Sequence, residues 1–148
     1  MRLLADSGGI IAALNEAEPG HVAFREVLEA GAAVYITPLV VAEVHHVLVS
    51  YGLRSAASDF LGDVAGGFYE LFNPVAADYS AARELVAEYQ GLVARKRRKR
   101  DSLDLADAMN VVAAGRLETN LVVATDQDYR TVRPLSRHPA FVLLPLDG

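Results

Sequence analysis

Five carboxylates lie beside apolar segments whose side chains would normally form a core. Asp6 follows one short apolar run directly, and Asp126 follows another. Glu43 and Asp107 lie within apolar helical patterns, and Asp104 lies one turn before Asp107. Burying carboxylates without partners costs on the order of several kcal/mol each. A bound cation would remove that cost, so these acids predict a metal site.

The residue types limit which cation this would be. The chain has no cysteine, which excludes thiolate zinc sites, iron–sulfur clusters and a cysteine nucleophile. His45 and His46 are adjacent on a predicted helix, without metal-ligand spacing, and are interpreted as structural or surface residues. Ligands that are all oxygen favour Mg²⁺ or Mn²⁺ over zinc. Such an ion in turn indicates a phosphate-containing substrate.

Each acid also has an ordinary structural interpretation. Asp6 could cap the first helix, and Asp104 could be a solvated acid in a first helical turn. Asp126 and Asp128 could form a turn, and Glu43 could pair with a base at the core edge. The joint pattern favours a metal, because six of the fourteen Lys and Arg residues lie in one segment rather than among these acids.

Short apolar runs alternate with helical patterns along the chain. Strands are predicted at 2–5, 33–36, 68–72, 121–124 and 141–144, with helices at 7–15, 19–30, 38–51, 55–64, 76–93 and 102–114. This alternation predicts an α/β fold, a three-layer α/β/α sandwich with a short central parallel sheet, in a single domain over 1–148. Ligands of such sheets bind beyond the carboxyl ends of the strands, where Asp6 and Asp126 lie.

The charge of the chain is unevenly distributed. The net charge is −5, yet residues 95–100 are six consecutive bases, so the rest of the chain is strongly acidic. No apolar stretch approaches the roughly 20 residues that span a bilayer, and the N-terminal segment lacks a signal-peptide pattern. We therefore expect a cytoplasmic protein without a membrane partner.

Four segments resemble, in this order and spacing, the acidic blocks of PIN-domain ribonucleases. They are LLADSGGIIAAL, PLVVAEVHHVL, LDLADAMNVVAA and LVVATDQDY, and the resemblance runs from Arg2 to Pro134. Within this family, the segments most resemble the VapC toxins of bacterial toxin–antitoxin pairs. The resemblance therefore covers almost the whole chain.

The resemblance implies catalytic roles for four acids and direct metal contact for three of them. The catalytic acids are Asp6, Glu43, Asp107 and Asp126, and the metal ligands are Asp6, Asp107 and Asp126. Auxiliary residues are Ser7, Asp104, Thr125 and Asp128. Gly8 stands where the family often has a second hydroxyl residue, and Ala124 stands where it often has a Thr two positions before the fourth acid. Thr125 is a candidate to supply that Thr hydroxyl instead.

The activity that the resemblance implies is Mg²⁺- or Mn²⁺-dependent hydrolysis of RNA phosphodiester bonds. It also implies a homodimer and a VapB-like antitoxin as partner. The alternative is a PIN-like RNA-binding module without nuclease activity. A haloacid-dehalogenase-like phosphatase fits poorly, because Gly8 stands where its second Asp is needed. A receiver domain fits poorly as well, because Asn73-Pro74 provides no phosphoacceptor.

The basic run needs a separate explanation, since an acidic protein repels RNA. We expect it to contact phosphates without sequence preference and to steer RNA toward the acids. Its residues are Arg95, Lys96, Arg97, Arg98, Lys99 and Arg100. A solvated charge run and a docking patch for an acidic partner are the alternatives. The tyrosines, Tyr129 among them, are interpreted mainly as core residues rather than as platforms for base stacking.

Overall fold

The computed structural model describes residues 1–96 and 103–148, and of residues 91–96 only the backbone. Five short strands form its sheet: β1 (Arg2–Ala5), β2 (Ala33–Ile36), β3 (Glu70–Leu71), β4 (Leu121–Val123) and β5 (Val142–Leu144). The helices are α1 (Ser7–Leu14), α2 (His21–Glu29), α3 (Pro38–Ser50), α4 (Arg54–Ala65), α5 (Ala76–Lys96) and α6 (Leu105–Arg116). A 3-10 helix, Gln127–Arg130, follows β4.

The sheet is parallel throughout, with the strand order β3-β2-β1-β4-β5. The chain moves outward from β1 to β2 and β3, then returns to the other side of β1 with β4 and β5. The direction in which strands are added to the sheet therefore reverses between β1 and β4. Open α/β sheets bind their ligands at such a point. Ala5 pairs with Val123 across this junction, so the residues after both strands emerge side by side.

Two apolar cores lie on opposite faces of the sheet, because successive strand side chains alternate between faces. Leu3 and Ala5 of β1 pack with α1 to α4, whereas Leu4 packs with α5 and α6. Phe60 is fully buried in the first core and Met109 in the second. The predicted three-layer α/β/α arrangement is confirmed.

Two glycines let α1 approach the end of β4 closely. A Cβ on Gly9 would lie 2.5 Å from the carbonyl oxygen of Val123. A Cβ on Gly8 would collide with the hydroxyl oxygen of Thr125. A side chain at Gly9 would push the helix away from the main chain of Val123, whereas one at Gly8 would require the Thr125 side chain to turn. Gly9 therefore keeps the start of α1 close to the end of β4.

Several predicted boundaries were wrong. The last helix begins at Leu105 rather than at residue 102, because Asp104 is its N-cap and accepts a hydrogen bond from the Asp107 amide over 2.8 Å. The second helix begins after Pro19, because Gly20 takes a left-handed conformation with φ of 76°. β3 is only two residues long, and the 3-10 helix after β4 was not predicted.

The basic run lies largely outside the described residues. Arg95 and Lys96 end α5, their side chains are not described, and Arg97, Arg98, Lys99 and Arg100 fall in the gap. Its predicted contact with RNA therefore stays a prediction. In the part of the chain that is described, no helix combines the length and apolar character needed to cross a membrane.

Candidate metal centre

Asp6 is placed by the central strand and by the first helix. Its amide donates to the carbonyl of Val123 over 2.9 Å, which continues the pairing of β1 with β4 for one more residue. Its side chain is the N-cap of α1, with Oδ1 accepting from the Ser7 amide over 2.8 Å. Asp6 is only 4% exposed. The capping interpretation is therefore correct, and it also orients the carboxylate at the junction of the sheet.

Two further acids converge on Asp6 from other elements. Asp107 lies in the first turn of α6, and Asp126 caps the 3-10 helix after β4. One carboxylate oxygen from each of Asp6, Asp107 and Asp126 lies within 4.8 Å of the others. Three acids that are far apart in sequence thus form one cluster, which we call the aspartate triad.

Glu43 lies close to the triad without joining it. It is half-buried on α3, and its negative charge helps to raise the pKa of Asp6. Among the described residues, the group whose ligand oxygens all lie within 4.8 Å comprises the three aspartates and leaves Glu43 out. The structure therefore places Glu43 at the edge of the site.

Mutual repulsion and burial disfavour the charged form of the triad. Burial raises the pKa of Asp6 to about 6, with repulsion from Glu43 and Asp126 added and the Ser7 amide acting in the opposite direction. Burial raises the pKa of Asp107 to about 9, followed by repulsion from Asp6, Asp104 and Asp126. These shifts are those expected of acids that share a small site without a counter-charge.

The protein supplies no such counter-charge within the residues described. The ion pairs found there are Arg25–Glu29, Arg116–Asp78 and Arg130–Asp147. None of them involves a member of the triad. Three convergent carboxylates with only oxygen donors suit a divalent cation, which would restore their ionised state.

Comparisons with known proteins agree with this geometry. The PIN domain family matches the chain over residues 3–134. The chain belongs to the PIN-domain family. It is also 30% identical, over 135 residues, to Ribonuclease VapC26 of Mycobacterium tuberculosis, covering 90% of this chain and 93% of that protein. The predicted resemblance to PIN-domain ribonucleases of the VapC type is confirmed. PIN nucleases generally use a divalent metal ion.

Two solved structures share the PIN fold. One is VapC20 of Mycobacterium tuberculosis, described as a Sarcin-Ricin loop cleaving toxin, with a TM-score of 0.70 and 16% identity over 85% of this chain and 91% of that one. The other is VapBC2 from Rickettsia felis bound to a DNA fragment from its promoter, with a TM-score of 0.62 and 14% identity over 97% of both chains. At these identities the matches establish the fold.

The auxiliary residues of this PIN domain take different positions. Ser7 is buried and provides the amide that orients Asp6. Asp104 is exposed and caps α6, and its charge helps to raise the pKa of Asp107. Asp128 is half-buried in the 3-10 helix, outside the triad.

Thr125 fills the space above Gly8. Its hydroxyl oxygen lies where a side chain on residue 8 would be, at the end of β4 beside α1. That Thr125 supplies the hydroxyl group missing at Ala124 stays a prediction.

Two residues of the PIN site were missed by the sequence analysis. Asn110 is completely buried on α6, and its Nδ2 donates to Asp6 Oδ1 over 3.1 Å and to the Tyr129 hydroxyl over 3.0 Å. Tyr129 donates in turn to Asp107 Oδ1 over 3.5 Å. Tyr129 is buried as expected, but its hydroxyl lies among the acids. The sequence feature that indicates Asn110 is its polar amide, three residues after Asp107 within an otherwise apolar run.

Proposed function

We propose that this chain is a VapC-type endoribonuclease that hydrolyses RNA phosphodiester bonds with Mg²⁺ or Mn²⁺ held by the aspartate triad. One observation carries the proposal: Asp6, Asp107 and Asp126 converge within 4.8 Å, and no base among the described residues pairs with them. The 30% identity to Ribonuclease VapC26 supports RNA as the substrate. The chain would act as a single PIN domain over residues 1–148, in the cytoplasm.

The choice of Mg²⁺ or Mn²⁺ rests on the donor set. The triad offers carboxylate oxygens only, and cysteine is absent from the chain. Hard cations prefer such ligands, whereas zinc prefers sites that contain nitrogen or sulfur. When bound, a divalent cation lowers the pKa of a water molecule and offsets the charge that develops on the phosphate.

The residues of the chain then have distinct tasks. The Ser7 amide fixes the rotation of the Asp6 carboxylate, and the Asp104 cap fixes the start of the helix that carries Asp107. Glu43 is half-buried at the edge of the site, and its negative charge repels that of Asp6. We assign Glu43 a contact with the reacting groups through water, which makes it the fourth catalytic acid.

The test is cleavage of mixed RNA by the purified chain, free of antitoxin. We expect cleavage with Mg²⁺, no cleavage with EDTA, and recovery when Mn²⁺ is added in excess of EDTA. Catalysis that persists in EDTA would contradict the metal site. RNA that is bound but left intact under Mg²⁺ would favour the alternative, a PIN-like RNA-binding module.

We also propose two protein partners, a VapB-like antitoxin and a second copy of this chain. The solved complex VapBC2, one chain of which shares the fold of this chain, supports the first. Size-exclusion chromatography with light scattering would measure the mass of the purified chain and is expected to give a dimer. Co-expression with the product of an adjacent antitoxin gene is expected to abolish RNA cleavage.

The basic run provides a prediction that is independent of the acids. Replacing Arg95 to Arg100 with Ser and Gly removes six positive charges. For single-stranded RNA, each lost phosphate contact should reduce the slope of log affinity against log salt by about 0.7. We therefore expect weaker binding and a slope flattened by up to about 4, measured by fluorescence anisotropy in an Asp6→Asn background that leaves the RNA intact.

Arg54→Ser is a suitable control, because it removes an exposed base from α4. This control should leave the salt slope almost unchanged. A wild-type slope after replacement of the whole basic run would reject its role in RNA binding. If antitoxin binding weakened instead, the run would be a docking patch for the partner.

A further inference from the structure

A buried amide and a buried hydroxyl lie against the aspartate triad, and the chemistry described so far assigns them no task. Asn110 is 0% exposed and Tyr129 is 1% exposed. Asn110 belongs to α6, whereas Tyr129 belongs to the 3-10 helix that Asp126 caps. The two residues therefore lie on the elements that position Asp107 and Asp126. Asn110 also contacts Asp6, the third member of the triad.

Stability alone does not explain Asn110. Both hydrogens of Nδ2 have acceptors, Asp6 Oδ1 and the Tyr129 hydroxyl, but Oδ1 of Asn110 is buried with no hydrogen-bond partner among the described residues. An unsatisfied buried acceptor destabilises the fold, because burial removes its hydrogen bonds to water without replacing them. An apolar residue of similar volume would avoid that cost in a helix that is otherwise apolar here.

The orientation of this amide follows from its neighbours. Exchanging oxygen and nitrogen would place Oδ1 of Asn110 against Asp6 Oδ1, so that two acceptors would face each other. With Nδ2 in that place, Asp6 Oδ1 receives two donors, the Ser7 amide at 2.8 Å and Asn110 at 3.1 Å. Two donors on one oxygen hold the carboxylate in a single rotation.

Tyr129 extends the same arrangement to Asp107. Its oxygen accepts from Asn110, and its single proton faces the carboxylates of both Asp6 and Asp107, with Asp107 Oδ1 at 3.5 Å. The ring is held by burial and by edge-on packing against Phe141, with centroids 5.8 Å apart. A continuous set of donors thus connects Asp6, Asn110, Tyr129 and Asp107, although Asp6 and Asp107 are about a hundred residues apart in sequence.

We propose that Asn110 and Tyr129 are positioning residues that set the spacing and rotation of Asp6 and Asp107, and thereby the affinity of the site for a divalent cation. This inference rests on the proposed function of the triad as metal ligands. Neither residue needs to touch the substrate. Their effect acts on metal affinity first and on cleavage only through it.

The experiment compares Asn110→Leu and Tyr129→Phe with the wild type by calorimetric titration with Mn²⁺ alone. Residues that orient metal ligands typically contribute about 10- to 100-fold to metal affinity, and we expect a loss of that size in both variants. The metal concentration for half-maximal RNA cleavage should rise by a similar factor. Saturating Mn²⁺ should restore most of kcat, which a general disruption of the fold would not allow.

Tyr69→Phe is the matched control, because Tyr69 is also buried but lies in the other core. It should bind Mn²⁺ like the wild type. Thermal unfolding in EDTA reports on folding, and Tyr129→Phe, which removes one oxygen only, tests the inference even if Asn110→Leu does not fold.

Wild-type Mn²⁺ affinity in folded Tyr129→Phe would overturn the positioning role and leave the proposed function intact. A wild-type chain that binds no Mn²⁺ would instead overturn the metal site, and the positioning role with it. The two failures are therefore distinguishable.

Discussion

Asp6→Asn is expected to reduce RNA cleavage at least about 100-fold and to remove most of the calorimetric signal of Mn²⁺ binding. The substitution removes one negative charge and one of the ligand oxygens of the triad. The fold should persist, because the asparagine retains a side-chain oxygen that can accept from the Ser7 amide and cap α1. Initial rates on a defined RNA, at saturating Mg²⁺, measure the effect.

Asp59→Asn is the matched control for this result. It makes the same chemical change at an exposed position on α4, outside the triad. It should cleave RNA at the wild-type rate. If Asp6→Asn also cleaved RNA as fast as the wild type, the assignment of Asp6 as a metal ligand would be wrong.

The stability of the metal-free protein should fall as the pH rises. Burial, followed by repulsion from the neighbouring acids, raises the pKa of Asp107 from 3.8 to about 9, and burial chiefly raises that of Asp6 to about 6. Between the unfolded and folded pKa values the folded chain holds a proton that the unfolded chain has lost. The free energy of unfolding therefore decreases with pH, from about 4 to 6 through both acids and from about 6 to 9 through Asp107.

The size of this effect is on the order of 3 kcal/mol or more between pH 4 and pH 8. Thermal or urea unfolding in EDTA would measure it across that range. Asp107→Asn removes the larger contribution, so its profile should be flatter than the wild-type profile and its stability at pH 8 should be higher. Asp59→Asn should keep the wild-type slope.

Adding a divalent cation should reverse the trend. The cation binds the ionised triad in the folded state, so it stabilises the protein most at high pH, by an amount that grows with the ratio of its concentration to Kd. We expect a clear rise in Tm with Mn²⁺ at pH 8 for the wild type and little rise for Asp107→Asn. A wild-type protein whose stability in EDTA increased from pH 5 to pH 8 would contradict the site.

The fold and the triad could be predicted because both depend on local patterns. Short apolar runs followed by an acid marked the ends of β1 and β4, and the parallel arrangement brings such ends to one edge of a sheet. Asp107 was recognisable as an acid within an apolar helix. These signals lie within about ten residues of each site residue.

The residues that were missed depend on contacts far apart in the chain. Asn110 looked like one tolerated polar residue in an apolar helix, and its significance comes from Asp6 and Tyr129, which other elements carry. The spacing predicts a helix that includes Asp104, because spacing alone does not separate a cap from a first turn. Its bond to the Asp107 amide shows it to be the cap.

Gly8 and Thr125 have a consequence for how this site can change during evolution. The Thr125 hydroxyl occupies the volume that a side chain on residue 8 would need, so a side chain at position 8 requires this hydroxyl to turn away or to be absent. Relatives with Ser or Thr at the position of Gly8 are therefore expected to carry a small residue opposite it. The two sites should vary as a coupled pair, in which one hydroxyl moves between the first turn of α1 and the segment after β4 while its place in space is kept.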